Sequence, residues 1–450
     1  MSKSTDIRIV DVQFEFEEHQ YRTPLKFGGV PTDHCILFNV NLQVQTRDGK
    51  EAQGNGSMPL GNVWAFPPRY VPFDQSLNAM TRLAELAVDN TLDCTLCAHP
   101  LELSEELEPI FLQTADDLSE SMQLATPIPK LCTVVTTSPI DAAIHDAFGK
   151  ANGINSYNGL DRDYIQSDLS HFLNEEFSGK YLDQYTTRHP KPNMPIYHLV
   201  GALDPLTDAD IDQRLNDGLP ETLPEWIKAD GLTHLKIKLN GDDLEWDVAR
   251  VLAIDQVTAE TQAKRGVQSW NYSADFNETC KDVEYLLDFL NRIQETEAKA
   301  FERLAYIEQP TDRDLEAHPE NKMHKAAEIK PVVIDESLTD FETLLLARDQ
   351  GYSGVALKAC KGQSQALLMG AAAQEYEMFL AVQDLTCPGA SFLHSAGLAA
   401  RIRGVTAIEG NARQFCPSAN DGWREQYPSI FNITNGTVGT QILTGPGLGH

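Results

Sequence analysis

Hydrophobic and polar residues alternate with period two in Ile7-Arg8-Ile9-Val10 and again from Ile36 to Val44. Such alternation gives a strand one face for the core and one for water, so both runs predict half-buried antiparallel strands. Asp48-Gly49, just beyond the second run, supplies a hairpin turn. Helical spacing follows over Gln75–Val88 and Leu101–Asp117. The first 130 or so residues therefore read as an α+β domain.

The pattern changes near residue 138. Ser138-Pro139 predicts the start of an Ala-rich helix over Asp141–Lys150, with proline in its first turn. Short apolar runs then recur at helix-length intervals. They are Ile196–Val200, His234–Leu239, Ser269–Phe276, Leu304–Glu308, Val332–Glu336, Gly354–Lys358, Phe379–Gln383 and Val405–Ile408. Strands of this kind, separated by helices, predict a parallel barrel buried on both faces. An open doubly wound sheet is the alternative, but no run is followed by a Gly-rich nucleotide turn. The expected division is residues 1–137 for the α+β domain, 138–415 for the barrel and 416–450 for a segment packing back on the first domain. No internal repeat and no low-complexity linker interrupts it.

Composition narrows the possible partners. A net charge of −30 over 450 residues argues against nucleic acid, whose phosphates need clustered Lys and Arg. It leaves an anionic small molecule possible, because screening confines charge effects to about 8 Å at physiological salt. Met1–Val10 has no signal-peptide run, and no stretch approaches the roughly 20 apolar residues of a membrane span, so a cytoplasmic protein without a membrane partner is expected. The 8 cysteines are scattered from Cys35 to Cys416, as reduced thiols are. Cys94, Cys97 and His99 hint at a zinc site, but the second pair that such a site needs is missing.

Charged residues collect where the apolar runs end, the place where barrel enzymes carry their chemistry. The second run ends in Lys236-Ile237-Lys238, and alternation puts both lysines on one face. The third ends in Asp275, with Asn277 beyond it; the fourth in Glu308-Gln309-Pro310; the fifth in Asp335-Glu336-Ser337; the sixth in Lys358. Three carboxylates converging on one mouth repel one another unless a hard cation neutralises them. An all-oxygen donor set favours Mg²⁺ over zinc.

These residues, with the helix Asp141-Ala142-Ala143-Ile144-His145-Asp146 and the closing Pro446-Gly447-Leu448-Gly449, resemble the mandelate racemase/muconate lactonizing enzyme branch of the enolase superfamily over nearly the whole chain. The resemblance implies an α+β capping domain on a modified TIM barrel, (β/α)7β. It implies Mg²⁺ bound by Asp275, Glu308 and Asp335, with Lys238 and Lys358 as an acid/base pair and Lys236 beside the substrate carboxylate. The substrate would be a small carboxylate that loses its α-proton through an enediolate, on an enzyme that self-associates as a homo-oligomer. Metal stabilises charge that develops only as the proton leaves, and pairing a lysine base with Mg²⁺ is already a known pattern of this superfamily.

The seventh run reads Ala381-Val382-Gln383-Asp384-Leu385, without the histidine of the racemase-type dyad, and His394 falls in the following helix, where packing suffices to explain it. The lysine-pair branch fits better. Two features depart from it: Lys361-Gly362-Gln363 replaces Lys-x-Gly-Gly, and Glu409-Gly410-Asn411 replaces the Asp-x-Asp of dipeptide epimerases, which puts dipeptide specificity in doubt. Tyr21–Asp33, with Phe27-Gly28-Gly29, resembles the loop that closes over substrate. Racemisation or epimerisation is the expected reaction, because bases on opposite strands address opposite faces of one carbon. A lyase using the same enediolate, such as an acid-sugar dehydratase or a cycloisomerase, is the alternative. A non-catalytic metal-binding or structural protein on the same fold is the alternative of another class.

Overall fold

The computed structural model describes residues 3–27 and 30–450. Three long strands, β1 (Ile7–Phe27), β2 (Val30–Thr46) and β3 (Glu51–Pro59), form an antiparallel sheet in that order. Thr46 and Lys50 close the β2–β3 hairpin around Asp48-Gly49, where Gly49 has φ +87°. The Gly28-Gly29 pair lies outside the described residues; on either side of it Leu25 pairs with Thr32 and Lys26 with Pro31. Four helices follow: α1 (Asn62–Ala65), α2 (Phe73–Leu92), α3 (Pro100–Ser121) and α4 (Lys130–Asn152).

Helix α4 begins at Lys130, not at the Ser138-Pro139 signal, and carries Pro139 in its interior. Proline at 139 removes the N–H that Val135 O would accept, which ordinarily breaks a helix. Ser138 Oγ donates to Val135 O at 2.8 Å instead, so the carbonyl is satisfied and the helix runs through. The same turn fixes how the sheet meets the helix. A Cβ at Gly56 would stand 1.8 Å from Pro139 O, so only glycine lets β3 lie this close to α4. Ile140, Ile144 and Phe148 carry the α4 contribution to the core shared by both parts of the chain.

Eight parallel strands close the barrel: β4 (Met194–Val200), β5 (His234–Lys238), β6 (Asn271–Asp275), β7 (Leu304–Glu308), β8 (Val332–Ile334), β9 (Gly354–Leu357), β10 (Phe379–Val382) and β11 (Ile408–Glu409). Closure is between β11 and β4, with Ile408 beside Ile196. Tyr197, Tyr306, Val333, Ala356, Ala381 and Ala407 fill the interior as one layer, large against small, as packing of a small barrel demands. The last short strand, β12 (Thr437–Val438), pairs antiparallel with β4, and Leu448 N donates to Asp146 Oδ1 of α4. Among the described residues no helix is long and apolar enough to cross a membrane.

Candidate active site

Strand register builds the mouth of the barrel. Lys238, Asp275 and Glu308 stand side by side on neighbouring strands, and Lys236 lies two residues deeper on the same inward face. Asp335 follows the last residue of β8 and Lys358 the last residue of β9. All six predicted site residues are buried. In the closed barrel β5 and β9 are four strands apart, so Lys238 and Lys358 rise from opposite walls.

Ammonium groups lie among the carboxylates. Lys236 Nζ donates to Glu308 Oε1 and Glu409 Oε2, both at 2.8 Å, and is 3.0 Å from Asp275 Oδ2. Lys238 Nζ reaches Asp275 Oδ2 at 2.5 Å and Asn277 Oδ1 at 2.7 Å. Lys358 Nζ is 2.9 Å from Asp335 Oδ2, and Lys361 Nζ is 3.1 Å from Asp335 Oδ1. Among the described residues no three acidic, histidine or cysteine side chains are drawn together as a ready cation cage.

The electrostatics are those of a crowded, dry site. Burial opposes ionisation of Asp275, yet Lys236 and Lys238 hold its carboxyl well below the usual range. Asp335 is held at about 2, against its own burial, by Lys358 and Lys361. Glu308 goes the other way: burial, then the neighbouring Asp275, pushes it well above the usual range. Burial works against charge on Lys358, but the neighbouring Asp335 outweighs it and raises its pKa; Lys361 is lowered, chiefly by burial. The donor set fits a hard divalent cation. It is all oxygen and comes from three successive strand ends, and burial beside Asp275 keeps Glu308 raised despite the Lys236 ammonium at 2.8 Å.

Several residues at the mouth were given no role in the sequence reading. Glu409 holds Lys236 from the end of β11, and Gln383, at the end of β10, donates to Glu308 Oε2 at 2.5 Å. Lys361 follows Lys358 by three residues through a 3₁₀ turn, which sets both on one side; that spacing was the available signal. Glu336, pushed to about 7 by burial and by Asp335, accepts from Asn277 Nδ2 and from Trp64 Nε1. Trp64 comes from α1, and its ring lies over Lys358 Nζ at 4.5 Å from the centroid. Nothing in the first domain's sequence marked it. The Cys94, Cys97 and His99 hint resolves differently: His99 caps α3, accepting from Leu101 N at Nδ1, while Nε2 meets Gly159 O at 3.1 Å. His394 is buried in the helix Ala390–Arg401, against the ring of His450.

An enolase C-terminal domain-like family model matches residues 219–450, the stretch that carries all six predicted residues. The chain belongs to the enolase superfamily. Within the superfamily it falls in the mandelate racemase/muconate lactonizing enzyme branch. This enolase-superfamily chain shares its fold with a dipeptide epimerase from Enterococcus faecalis V583 complexed with Mg and the dipeptide L-Leu-L-Tyr, at TM-score 0.65 and 15% identity over 98% of this chain and 99% of that one. A muconate lactonizing enzyme from Pseudomonas fluorescens complexed with muconolactone follows at 0.60 and 16%, over 98% and 96%. An enolase from Bradyrhizobium complexed with magnesium and mandelic acid gives 0.61 and 15%, over 99% and 95%. No curated protein matches the sequence significantly.

Proposed function

We propose that this enolase-superfamily protein is a Mg²⁺-dependent enzyme that removes the α-proton of a small carboxylate, and that it racemises or epimerises that substrate. The observation that carries the reading is the placement of Lys238 and Lys358 on opposite barrel walls, each buried against a carboxylate. Asp275, Glu308 and Asp335 are the residues that would hold Mg²⁺. Bound there, the metal would supply electrophilic stabilisation of the charge that develops on the substrate carboxylate. Lys238 and Lys358 address opposite faces of one carbon: one takes the α-proton, and the other, in its ammonium form, returns a proton to the far face. Lys236, anchored by Glu308 and Glu409, places positive charge beside the substrate carboxylate. Trp64 and the rest of the first domain exclude water from the lysines, which strengthens every charge interaction inside. The neighbours that carry magnesium with a dipeptide or with mandelic acid support the cofactor and the substrate class.

The test is solvent-deuterium exchange in the single variants Lys238→Ala and Lys358→Ala, against a library of enantiopure carboxylates. Both variants should lose epimerisation, and each should still exchange the α-proton of one stereoisomer, the two variants being complementary. Loss of exchange from both isomers in either variant, with the fold intact, sinks the two-base reading. A lyase would instead change the mass or absorbance of the product, and no exchange with any carboxylate would leave a non-catalytic protein on this fold.

A further inference from the structure

The helix that follows Lys358 and Lys361, Gln363–Glu375, begins without a cap of its own. Gly362 stands at its N-cap and offers no side-chain oxygen to the free N–H groups of the first turn. A carboxylate from α4 takes that place. Asp141 Oδ2 accepts from Ser364 N at 2.7 Å, the bond that an N-cap side chain ordinarily makes to the second residue of its helix. Gly362 is what admits it: its φ is +108°, a conformation that favours glycine, and a Cβ there would stand 3.3 Å from Asp141 Oδ2.

The groups around this bond are matched to it. Asp141 Oδ1 accepts from the Ser104 hydroxyl of α3 at 2.5 Å and from the Ser364 hydroxyl at 2.8 Å. With its proton committed there, Ser364 Oγ is left to accept, and His145 Nε2, one turn further along α4, lies 2.8 Å from it. Three helices thus meet on one carboxylate. The first domain's sheet sits on the same stretch of α4, where Pro139 O and Ala143 O leave no room for a Cβ at Gly56 or Gly54.

The capped helix continues directly from the turn that carries the lysines. That turn, Ala359–Lys361, starts from Lys358 and is closed by Lys361 N donating to Lys358 O and Gly362 N to Ala359 O, both at 3.0 Å. From it Lys358 Nζ and Lys361 Nζ both reach the Asp335 carboxylate. Strand β9 fixes the start of the turn and the capped helix fixes its end. We propose that Asp141 is a positioning residue for Lys358: by capping the helix Gln363–Glu375 from α4, it holds the turn that aims Lys358 and Lys361 at Asp335. That Lys358 is a base rests on the reaction proposed above; that Asp141 places it does not. One helix then sets both the seat of the first domain and the seat of the candidate base.

Lysine acylation of the full chain tests the assignment without a substrate. A short pulse of N-hydroxysuccinimidyl acetate, read by peptide mass spectrometry, compares Lys358 and Lys361 with Lys236 and Lys238 on the opposite wall. Asp141→Ala should speed acylation of Lys358 and Lys361 by about ten-fold or more and leave Lys236 and Lys238 within about two-fold. Asp141→Asn keeps an oxygen for Ser364 N and should stay within about three-fold of wild type. Asp141→Glu, for which a cavity of about 60 Å³ beside Asp141 leaves room, should fall between the two and decides the matter if the alanine variant does not fold. Faster amide exchange at Ser364 with Lys358 unchanged would show a cap that only stabilises its helix. Equal acceleration at all four lysines would show general loosening. Either result overturns the proposal, as does an asparagine variant that behaves like alanine. Deuterium exchange of carboxylates is read separately: if none exchanges with wild type, the proposed reaction fails, and the acylation pattern still decides the role of Asp141.

Discussion

Trp64 is the residue through which the first domain grips the candidate base Lys358, and its replacement has a calculable effect. Its Nε1 donates to Glu336 Oε1 at 2.9 Å, and its ring centroid lies 4.5 Å from Lys358 Nζ and 5.5 Å from Lys361 Nζ. Trp64→Phe keeps a ring over the lysines and removes the donor. With Glu336 pushed to about 7, the bond lies between a neutral and a charge-assisted one, and about 1–2 kcal/mol is the expected loss of stability. Trp64→Ala removes the ring as well, at about 3–5 kcal/mol for a buried aromatic, of which about 2 kcal/mol is the desolvated cation–π contact. Lys238 rises from the opposite wall, where Asp275 and Asn277 hold it, so the catalytic effect should be one-sided. A displacement of the order of 1 Å costs about 100-fold in rate, so Trp64→Ala should slow deuterium exchange of the isomer served by Lys358 by about that factor and spare the other. Urea unfolding supplies the stability and exchange of each isomer supplies the rates. Equal slowing of both isomers, or of neither, would refute the assignment of Trp64 to Lys358.

Two further outcomes follow from the charge cluster. Glu308→Gln should keep the fold, because the new amide can donate to Gln383 Oε1, which has no partner, once that side chain turns over. Wild-type protein should gain about 2.7 kcal/mol at Mg²⁺ one hundred times its dissociation constant, and thermal unfolding of the variant should lose most of that gain; a full Mg²⁺ response in Glu308→Gln counts against the metal assignment. Asp384 is pushed up to about 7 by burial and by Glu409. Its folded pKa lies above the unfolded value of about 3.9, so the folded state holds the proton more tightly and stability falls as pH rises from about 4 to about 7. Asp384→Asn should therefore gain on wild type by about 2–3 kcal/mol more at pH 8 than at pH 5 in urea unfolding, and a pH-independent difference would show the carboxyl to be ordinary.

The barrel was legible because its strands are short, apolar on both faces and closed by charged residues. His234–Lys238 shows the rule: Leu235 and Ile237 face outward into helices, while Lys236 and Lys238 face the mouth. Sequence also placed both lysines on one face, from alternation alone. Other features depend on partners distant in the chain, and no local pattern encodes them. The Ser138-Pro139 signal misled because a serine hydroxyl repaired the bond that proline removed, a compensation invisible until the helix is built. Trp64 reads as one more apolar residue in a loop until Glu336, 272 positions later, is beside it.

The charge content of the mouth is itself an argument for chemistry. Asp275, Glu308, Asp335, Glu336, Asp384 and Glu409 are buried there with Lys236, Lys238, Lys358 and Lys361. Carboxyls outnumber ammonium groups, and the imbalance appears where the lysines do not reach: Glu336 and Asp384 both rise to about 7. Stability does not account for such a cluster, since desolvation of buried ion pairs often exceeds their mutual attraction and apolar residues of similar volume serve as well or better. The layer beneath, with Val333, Ala356 and Ala381, shows that this barrel fills its interior with apolar side chains where nothing else is required. The change from that layer to Glu308, Asp335, Lys358 and Glu409, each two residues beyond Tyr306, Val333, Ala356 and Ala407, marks where folding stops dictating the sequence. Only when all six carboxyls are ionised do they exceed the four ammonium groups by two, the charge that a divalent cation at the proposed site would balance; the upward shifts of Glu308, Glu336 and Asp384 mark the same excess.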